Sequence, residues 1–221
     1  MEKQEVVIYG TGTFAQYIAY VISHDSNYNL SGFCIEKGYL RDYVPYFSHL
    51  PLVETDNMQD IFPPEKFMLF VAVGNNNIRE RVYKKLKEKK YSFISYVSSK
   101  SIITDDLEYK ENVFISEDSG IQPFVKIGNN TILIGSKIGH HSSIGDNVLL
   151  SCCYIGGNVK IGNNTFIGLN ATIKQNVVIA EDNVIGMGCV ITKDTKDKEV
   201  YSCGKPAIKR IVTSERLSKV I

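Results

Sequence analysis

The second half of the chain repeats an isoleucine at every sixth residue. Seven isoleucines, from Ile155 to Ile191, keep this spacing without interruption. A glycine follows many of them, and a small or β-branched residue stands four positions after most of them. A six-residue period of this composition is typical of a parallel β-helix, in which each unit is one face of a triangular coil with its aliphatic side chain in the bore. The same rhythm continues towards the N-terminus through Ile115, Ile121, Ile127, Ile132, Ile138, Ile144 and Leu150.

The repeat also predicts the extent and the assembly of this domain. Fifteen units fit between Tyr109 and Lys196, or five three-sided coils, with five-residue units at 127–131 and 150–154 that adjust the register. A stacked prism exposes apolar residues on its flanks, and those flanks become buried when identical prisms pack side by side. We therefore expect a homotrimer.

The first hundred residues have a different pattern, in which apolar strands alternate with amphipathic helices. Strand-like runs occupy 6–9, 30–35 and 67–73, and helical spacing occupies 14–22 and 78–90. This alternation predicts a small Rossmann-like parallel sheet, an α/β domain about half the size of a doubly wound fold. We assign 1–100 to the α/β domain, 101–204 to the all-β parallel β-helix and 205–221 to a C-terminal tail.

Net charge and hydropathy exclude two classes of partner. The 25 Lys and Arg residues balance 24 Asp and Glu residues, so the chain lacks the cationic field that non-specific nucleic-acid binding requires. No apolar run approaches the ~20 residues of a membrane span. The charged residues at 1–5 are not typical of a signal peptide, and five scattered cysteines without a C-x-x-C pair are typical of reduced thiols. We expect a cytoplasmic protein that binds neither nucleic acid nor membrane.

One histidine of the β-helix stands at a position suited to catalysis. His140 is the third residue of its unit, so its side chain should point outward, and the equivalent position one coil later is Gly157. Stacked coils are ~4.8 Å apart, which places the bare backbone of Gly157 beside the imidazole. This pairing offers a slot for a flat group and an N–H that stabilises an oxyanion. The alternative is a solvated surface histidine, and that alternative is favoured for His141, which is expected to point away or to lie at a corner.

A zinc site is the other chemistry that histidines suggest. Zinc requires three or four ligands in a fixed geometry. The adjacent His140 and His141 project in different directions, and the remaining histidines, His24 and His49, belong to the first half. The sequence therefore predicts no metal site.

A glycine-rich turn follows the first strand and precedes the first helix. Its spacing, G-x-G-x-x-A at 10–15, lets backbone N–H groups approach a phosphate at a helix N-terminus. The sheet is too short for a dinucleotide, so a single nucleotide fits better, between this turn and residues 73–77 after the third strand. The alternative is that these are turn residues only. The predicted nucleotide-binding residues are Gly10, Thr11, Gly12, Thr13, Glu36, Gly74, Asn75 and Arg79.

Several of these segments together resemble a known enzyme family. The Gly-Thr-Gly turn, Val-Ala-Val-Gly-Asn-Asn at 71–76, Ile-Gly-His at 138–140 and Gly-Gly-Asn-Val-Lys-Ile-Gly-Asn-Asn at 156–164 are similar to the hexapeptide-repeat sugar acyltransferases of the bacillosamine and sialic-acid pathways (PglD/NeuD-like). The segment 201–207 is similar to the Gly-x-Pro-Ala that ends their β-helix. The resemblance covers essentially the whole chain.

The resemblance implies a left-handed β-helix, a trimer, and acetyl transfer from acetyl-CoA to the amino group of a nucleotide-linked amino sugar, most often a 4-amino sugar, for surface glycan biosynthesis. It places the nucleotide-sugar on the N-terminal domain and CoA in the crevice between adjacent β-helices. His140 matches the family's catalytic base, and Gly157 matches the residue whose N–H contacts the acetyl carbonyl. The CoA contacts expected on this basis are Gly157, Leu169, Met187 and Lys205.

Two positions depart from the family pattern. The acidic residue that usually follows the histidine is His141 here, and the family's Asp-Asp after the second strand is Ile35-Glu36. Sugar O-acetylation by the same base is an alternative, as is a non-catalytic trimer that binds a nucleotide-sugar for a partner enzyme. The sequence alone identifies neither the nucleotide, the sugar nor the acylated position.

Overall fold

The N-terminal domain is built around a four-stranded parallel sheet with the strand order β3-β2-β1-β4. The computed structural model of the chain describes residues 3–40 and 44–204. Successive residues of β1 point to opposite faces, so Val6 and Ile8 pack with the first helix while Val7 and Tyr9 pack with the third. The elements of this domain are β1 (Gln4–Tyr9), α1 (Thr13–His24), β2 (Tyr28–Ile35), a 3-10 turn (Lys37–Tyr39), β3 (Leu52–Glu54), α2 (Met58–Ile61), β4 (Phe67–Val71) and α3 (Asn76–Glu88).

The predicted α/β class is confirmed, and the structure adds two elements that the sequence did not indicate. These are β3 and α2, which have three and four residues and are shorter than the window in which a strand or helix period can be recognised. With β3 in place, the strand that precedes residues 73–77 is the fourth of the domain rather than the third. The β1–β4 pair is the topological switch point of the sheet, because the chain leaves β1 for β2 on one side and returns to β4 on the other.

The second domain is a left-handed parallel β-helix with three flat faces. Face 1 has seven strands, and faces 2 and 3 have five each. Its first strand begins at Tyr96, a few residues before the domain boundary expected at 101. Face 1 consists of β5 (Tyr96–Val97), β7 (Phe114–Ile115), β10 (Ile132–Ile134), β13 (Leu149–Ser151), β16 (Phe166–Ile167), β19 (Val184–Ile185) and β21 (Val200–Tyr201); face 2 of β8 (Gly120–Ile121), β11 (Lys137–Ile138), β14 (Tyr154–Ile155), β17 (Thr172–Ile173) and β20 (Val190–Ile191); and face 3 of β6 (Glu108–Tyr109), β9 (Lys126–Ile127), β12 (Ser143–Ile144), β15 (Lys160–Ile161) and β18 (Val178–Ile179).

The register prediction was wrong at one unit. Leu133, not Ile132, points into the bore, where it pairs with Ile115 and Leu150 of the neighbouring coils. The first short unit is therefore 133–137 instead of 127–131. Ile132 points outward and is buried against the N-terminal domain. A shift of one residue along a strand exchanges its two faces, and here both faces are apolar, so hydropathy does not distinguish them.

The N-terminal domain covers face 1 of the β-helix. Outward side chains of its strands, such as Phe114 and Leu149, join the same apolar core as α1. Arg79 of α3 is completely buried at this junction, where its guanidinium donates to the carbonyl oxygens of Asn130 and Asn147 at 3.0 and 3.1 Å. The side chain of Asn76 donates to the carbonyl of Asn164. These bonds fix the loop after β4 to the edge between faces 3 and 1.

A carboxylate at the end of α1 provides a second link, and it predicts an acid-sensitive part of the stability. Asp25 accepts hydrogen bonds from the Tyr96 and Ser98 hydroxyls and the Ser99 N–H at 2.8–3.1 Å. Hydrogen bonds from Ser99, then from Tyr96 and Ser98, lower the pKa of Asp25 to about 2. A lowered carboxyl pKa stabilises the folded state above the unfolded value and loses that contribution as pH falls between about 4 and 2.

Asp25→Asn is therefore expected to remove part of the acid dependence of folding. Urea unfolding at a series of pH values measures the free energy of unfolding of both proteins. The wild-type protein should lose about 1 kcal/mol more than the variant across this window, a figure reduced for the solvent that reaches Asp25. If the free energy of unfolding changed equally with pH in both proteins, the Asp25 carboxylate would contribute nothing to the acid dependence of stability.

Candidate active site

The structure confirms that His140 and Gly157 are adjacent. A Cβ atom built on Gly157 would lie 2.9 Å from both Cε1 and Nε2 of the His140 ring. The coils are held in this register by the Asn158 N–H, which donates to the His140 carbonyl at 2.8 Å. Both His140 and His141 are exposed, at the edge between faces 2 and 3. The Nε2 edge of the imidazole therefore faces the bare backbone of the next coil, as the six-residue register predicts.

The backbone beside the imidazole is open and has an unused donor. Within the described residues the Gly157 N–H donates to no acceptor, whereas the N–H groups of Gly156 and Asn158 on either side are both bonded. A Cβ on Gly139 would lie 2.5 Å from the nitrogen of Gly157, so Gly139 has to be a glycine for the coils to approach. A free N–H next to an imidazole is the arrangement that an acyl-transfer site needs.

A groove leads from this edge across face 2. It has a volume of about 550 Å³, and its lining includes Ile102, Tyr154 and Gly157. Two of the three other residues predicted to contact CoA lie elsewhere: Leu169 and Met187 are exposed on the edge between faces 1 and 2. Lys205 lies outside the described residues. The role of these three residues in CoA binding stays a prediction.

The two edges of face 2 are too far apart to act as a single site. About five residues at ~3.3 Å each separate one edge from the other, or ~16 Å. His140 also lies on the edge opposite face 1, which the N-terminal domain of the same chain covers. A single chain thus does not bring the predicted base, the CoA contacts and the nucleotide-binding domain together.

The fold requires a glycine at only one of the two glycine positions of the G-x-G turn. Gly10 has φ of +126°, and a Cβ there would lie 2.9 Å from the carbonyl oxygen of Ala72, so the fold itself requires this glycine. Gly12 has an ordinary φ of −74° and open space around its Cβ position. The fold does not require a glycine at 12. Close approach of a ligand to the backbone would account for it, and the exposed Thr13 follows as the first residue of α1.

Glu36 lies at the carboxyl end of β2, where a ribose-binding acid is expected, but its carboxylate already has partners. Arg81 of α3 binds both oxygens, at 2.8 and 2.9 Å, and Lys85 approaches to 3.5 Å. The hydrogen bonds from Arg81 hold the pKa of Glu36 below its usual range. Sequence reasoning missed Arg81. Two residues along a helix differ by about 200°, so Arg79 and Arg81 face opposite ways, and Arg81 is the arginine that reaches the carboxyl end of β2.

The prediction that Arg79 binds substrate does not fit the structure. Its side chain is fully buried, and its donors reach backbone carbonyls of both domains, including those of Val73 and Gly74. Arg79 thus supports the loop that follows β4 and has no donor directed to solvent. The Asn75 side chain accepts from the Ile78 N–H at 3.1 Å as the N-cap of α3. In this loop, the exposed backbone of Gly74 stays the predicted contact for a ligand.

One further neighbour of His140 and one of His141 were also missed. Gln122 in the preceding coil accepts the backbone N–H of His140 at 2.9 Å. Phe124, a half-exposed ring on the same edge, packs against His141 with a centroid distance of 4.6 Å. Both could have been found from the sequence, because they lie one coil before Gly139 and His141 in the six-residue register.

The contact between Gly157 and His140 predicts the effect of adding one methyl group. Gly157→Ala places a Cβ 2.9 Å from the imidazole and pushes the ring out of position. We expect kcat to fall by about 10- to 100-fold, because small displacements of a reacting group are costly. The melting temperature should change little, since the displaced ring is exposed. Adding Gly157→Ala to a His140→Ala protein should cost nothing further, and an equal loss in both backgrounds would contradict a steric effect on the imidazole.

Neither a metal-ligand cluster nor a membrane-spanning helix is present in the described residues. No three His, Cys, Asp or Glu side chains of residues 3–40 and 44–204 converge as metal ligands would. None of the helices in that part of the chain has the length and apolar character that crossing a bilayer requires.

Comparison with family models divides the chain in the same way as the structure. Residues 5–86 match the model described as the PglD N-terminal domain, and residues 94–200 match the GMPPB C-terminal domain. Curated relatives include the bifunctional protein GlmU of Thermotoga petrophila, 32% identical over 138 residues, and that of Psychrobacter arcticus, 38% identical over 93 residues. These matches cover 51% and 36% of this chain but only 29% and 20% of the relatives. The chain therefore spans less than a third of their length.

Solved structures share the fold of nearly the whole chain. The acetyltransferase domain of PglB from Neisseria gonorrhoeae is 18% identical, with a TM-score of 0.80 over 89% of this chain and 95% of its own. PerB from Caulobacter crescentus, solved with CoA and GDP-perosamine, is 21% identical, with a TM-score of 0.79 over 89% and 92%. WeeI from Acinetobacter baumannii is 21% identical, with a TM-score of 0.76 over 89% and 95%. All three combine both domains of the present fold in one chain.

Proposed function

Because the chain belongs to the PglD-like family of hexapeptide-repeat sugar acetyltransferases, which joins a PglD-type N-terminal domain to a β-helix, we propose that it transfers the acetyl group of acetyl-CoA to the amino group of a nucleotide-linked amino sugar. A 4-amino sugar destined for a surface glycan is the substrate class that fits the family best. The similarity to PerB, which was solved with CoA and GDP-perosamine, supports both substrates.

The observation that carries the proposal is the unpaired Gly157 N–H beside the exposed His140 ring. A thioester carbonyl is flat and narrow, and Gly157 has no side chain that would block its approach to this N–H. The pairing needs no metal, since a neutral imidazole and a backbone N–H together supply a base and an oxyanion donor.

The residues of this edge have separate tasks in the proposed reaction. Acetyl-CoA supplies the acyl group as a thioester. His140 Nε2 takes a proton from the sugar amine as the amine nitrogen forms its bond to the acyl carbon. The Gly157 N–H donates to the carbonyl oxygen, on which negative charge develops. When the carbon–sulfur bond breaks, His140 returns the proton to the leaving sulfur, so the enzyme ends in its starting protonation state.

The N-terminal domain supplies the proposed nucleotide site. The crevice between the loops after β1 and β4 lies at the switch point of the sheet, where α/β domains bind ligands. Backbone N–H groups at Gly12 and Thr13 would hold a phosphate. The bonds from Arg79 and Asn76 to the β-helix fix one wall of this crevice, so the two domains present their sites in a constant relation.

Turnover with a panel of substrates tests the proposal. Acetyl-CoA is incubated with UDP-, dTDP- and GDP-linked amino sugars, and released thiol is measured together with the mass of the acetylated sugar. The matching sugars with a hydroxyl in place of the amine serve as controls. We expect thiol release with one or more amino sugars and a mass increase of one acetyl group. If only the hydroxyl controls were acetylated, the proposed activity would be O-acetylation instead of N-acetylation. Binding without turnover would favour a non-catalytic module.

The assembly is part of the proposal, because the base and the nucleotide domain of one chain lie on opposite sides of the prism. In a trimer, the His140 edge of one chain faces a neighbour that completes the site. Light scattering at micromolar concentration is expected to give three times the 24.8 kDa chain mass. A monomer at that concentration would contradict a site shared between chains. The expected cytoplasmic location stays a prediction.

A further inference from the structure

At the edge between faces 2 and 3, two residues with large side chains have a left-handed backbone conformation. In the later coils of the same edge, asparagine has this conformation. Phe124 and His141 have φ of 67° and 61°, and Asn158 and Asn176, in the next two coils, have φ of 57° and 65°. A left-handed φ is enriched several-fold for asparagine, aspartate and histidine, so Phe124 is the exceptional residue on this edge. It packs against His141, which points to a functional reason for its side chain.

The ring of His141 contacts both Phe124 and His140. Its Nδ1 is 3.1 Å from Nδ1 of His140, which is a hydrogen-bond distance. The two imidazole planes are nearly perpendicular, at 89°, and the Phe124 ring packs on His141 from the preceding coil. Of two facing nitrogens, one has to carry a hydrogen and the other a lone pair.

A carboxylate on the same edge adds a negative charge. Asp106 accepts a hydrogen bond from the backbone N–H of Phe124. The nearby Thr104 hydroxyl and the backbone N–H of Phe124 hold the pKa of Asp106 below its usual range. The carboxylate is therefore ionised at neutral pH and lies within electrostatic reach of His141.

We propose that His141 is a positioning residue for the acetyl transfer described above: its Nδ1 lone pair accepts the Nδ1–H of His140 and leaves the Nε2 lone pair of His140 directed to Gly157. This inference rests on the proposed function for its consequence, but the hydrogen bond itself does not depend on it. A neutral imidazole thus takes the place of the acidic residue that follows the histidine in the family.

The proton balance of the pair follows from this arrangement. His140 gains the amine proton on Nε2 and keeps its Nδ1–H on His141 throughout the reaction. His141 neither gains nor loses a proton, so it acts only through the orientation and tautomer of its neighbour. A proton on Nδ1 of His141 would remove the acceptor and add a positive charge beside the base.

Two substitutions at position 141 test whether the hydrogen-bond acceptor, and not the remainder of the His141 side chain, is what the reaction needs. Glycine suits the left-handed backbone and removes the ring, whereas asparagine also suits it and places an amide oxygen close to the position of Nδ1. His141→Gly is expected to lower kcat by about 10- to 100-fold with little change in KM. His141→Asn should stay within threefold of wild type. Asn176→Gly, two coils further on the same edge, is the matched control and should leave kcat unchanged.

The pH dependence of kcat/KM gives a second test, because it would not change if His141 had a purely structural role. The titratable groups that reach His141 are His140 and Asp106. Both imidazoles have to be neutral for the base to work, so the acid limb of kcat/KM should report one proton more in wild type than in His141→Asn. Identical limbs, or equal losses of kcat in His141→Gly and His141→Asn, would overturn the assignment.

Nitrogen NMR of labelled histidine keeps this test independent of turnover. The wild-type trimer should show His140 with its hydrogen on Nδ1, and His141→Gly should shift it towards the Nε2-protonated tautomer. An unchanged tautomer would overturn the hydrogen bond. If the expected shift occurs and no amino sugar is acetylated, the proposed function fails while the pairing of the two rings stands.

Discussion

Replacement of His140 by asparagine is expected to lower kcat by about 10²–10⁴, the range for loss of a general base. Asparagine keeps the size and polarity of the side chain but cannot accept a proton at neutral pH. The imidazole is exposed, and the coil is held through the backbone of His140, so the fold does not depend on this ring. Steady-state kinetics with saturating acetyl-CoA measures the effect, and KM for both substrates should change little.

The neighbouring histidine provides the control for this prediction. His141→Asn retains an acceptor for His140 and should cost much less than His140→Asn. His141→Asp, which restores the residue type of the family, should leave kcat equal or higher, since a fixed negative charge stabilises the imidazolium. Near-full turnover of His140→Asn together with inactivity of His141→Asn would contradict the assignment of the base. A kcat insensitive to both changes would mean that neither histidine is the base.

The position of His140 beside Gly157 could be predicted because a β-helix is nearly one-dimensional. Once the period and the short unit at 150–154 are recognised, each residue has one neighbour in the next coil. The same rule identifies the left-handed corner three residues after each bore isoleucine, which is asparagine at 158, 164, 170 and 176. His141 and Phe124 occupy that corner position, so their departure from asparagine was visible in the sequence.

The orientation of Ile132 and Leu133 could not be predicted in this way. The segment Ile132–Ile134 is aliphatic throughout, and its outward face is buried by the N-terminal domain instead of by water. Alternation between apolar and polar residues reports orientation only where one face is solvated. Knowledge of which face the first domain covers is therefore needed before the register of this unit can be assigned.

Arg79 shows a second limit of sequence reasoning. Its position after a Gly-Asn-Asn loop suggested contact with an anionic ligand, but its partners include three backbone carbonyls 51 to 69 residues away along the chain. Carbonyl acceptors are present at every residue and leave no sequence signal. Only the packing of α3 against the β-helix decides that this arginine, and not Arg81, is buried.

Gly12→Val is expected to abolish binding of the nucleotide-sugar while CoA binding is retained. The φ of −74° and ψ of 179° at Gly12 lie in the extended region that valine prefers, and a Cβ there meets no atom within 4 Å. The folded protein should therefore accept the side chain. If a phosphate approaches the backbone at this turn, the branched side chain occupies its place, and affinity should fall by about 100-fold or more, or ~2.7 kcal/mol.

Gly10→Val gives the contrasting result that makes this prediction specific. Its φ of +126° and its 2.9 Å approach to Ala72 mean that valine there strains the fold and should lower the melting temperature and both affinities. Calorimetry with the nucleotide-sugar and with CoA, alongside thermal unfolding, separates the two variants. Gly12→Ala should fall between wild type and Gly12→Val, because one methyl group obstructs less than three carbons. If Gly12→Val kept its affinity for the nucleotide-sugar, the phosphate would have to bind elsewhere than at this turn, and an equal loss of both affinities at an unchanged melting temperature would contradict separate sites for the two substrates.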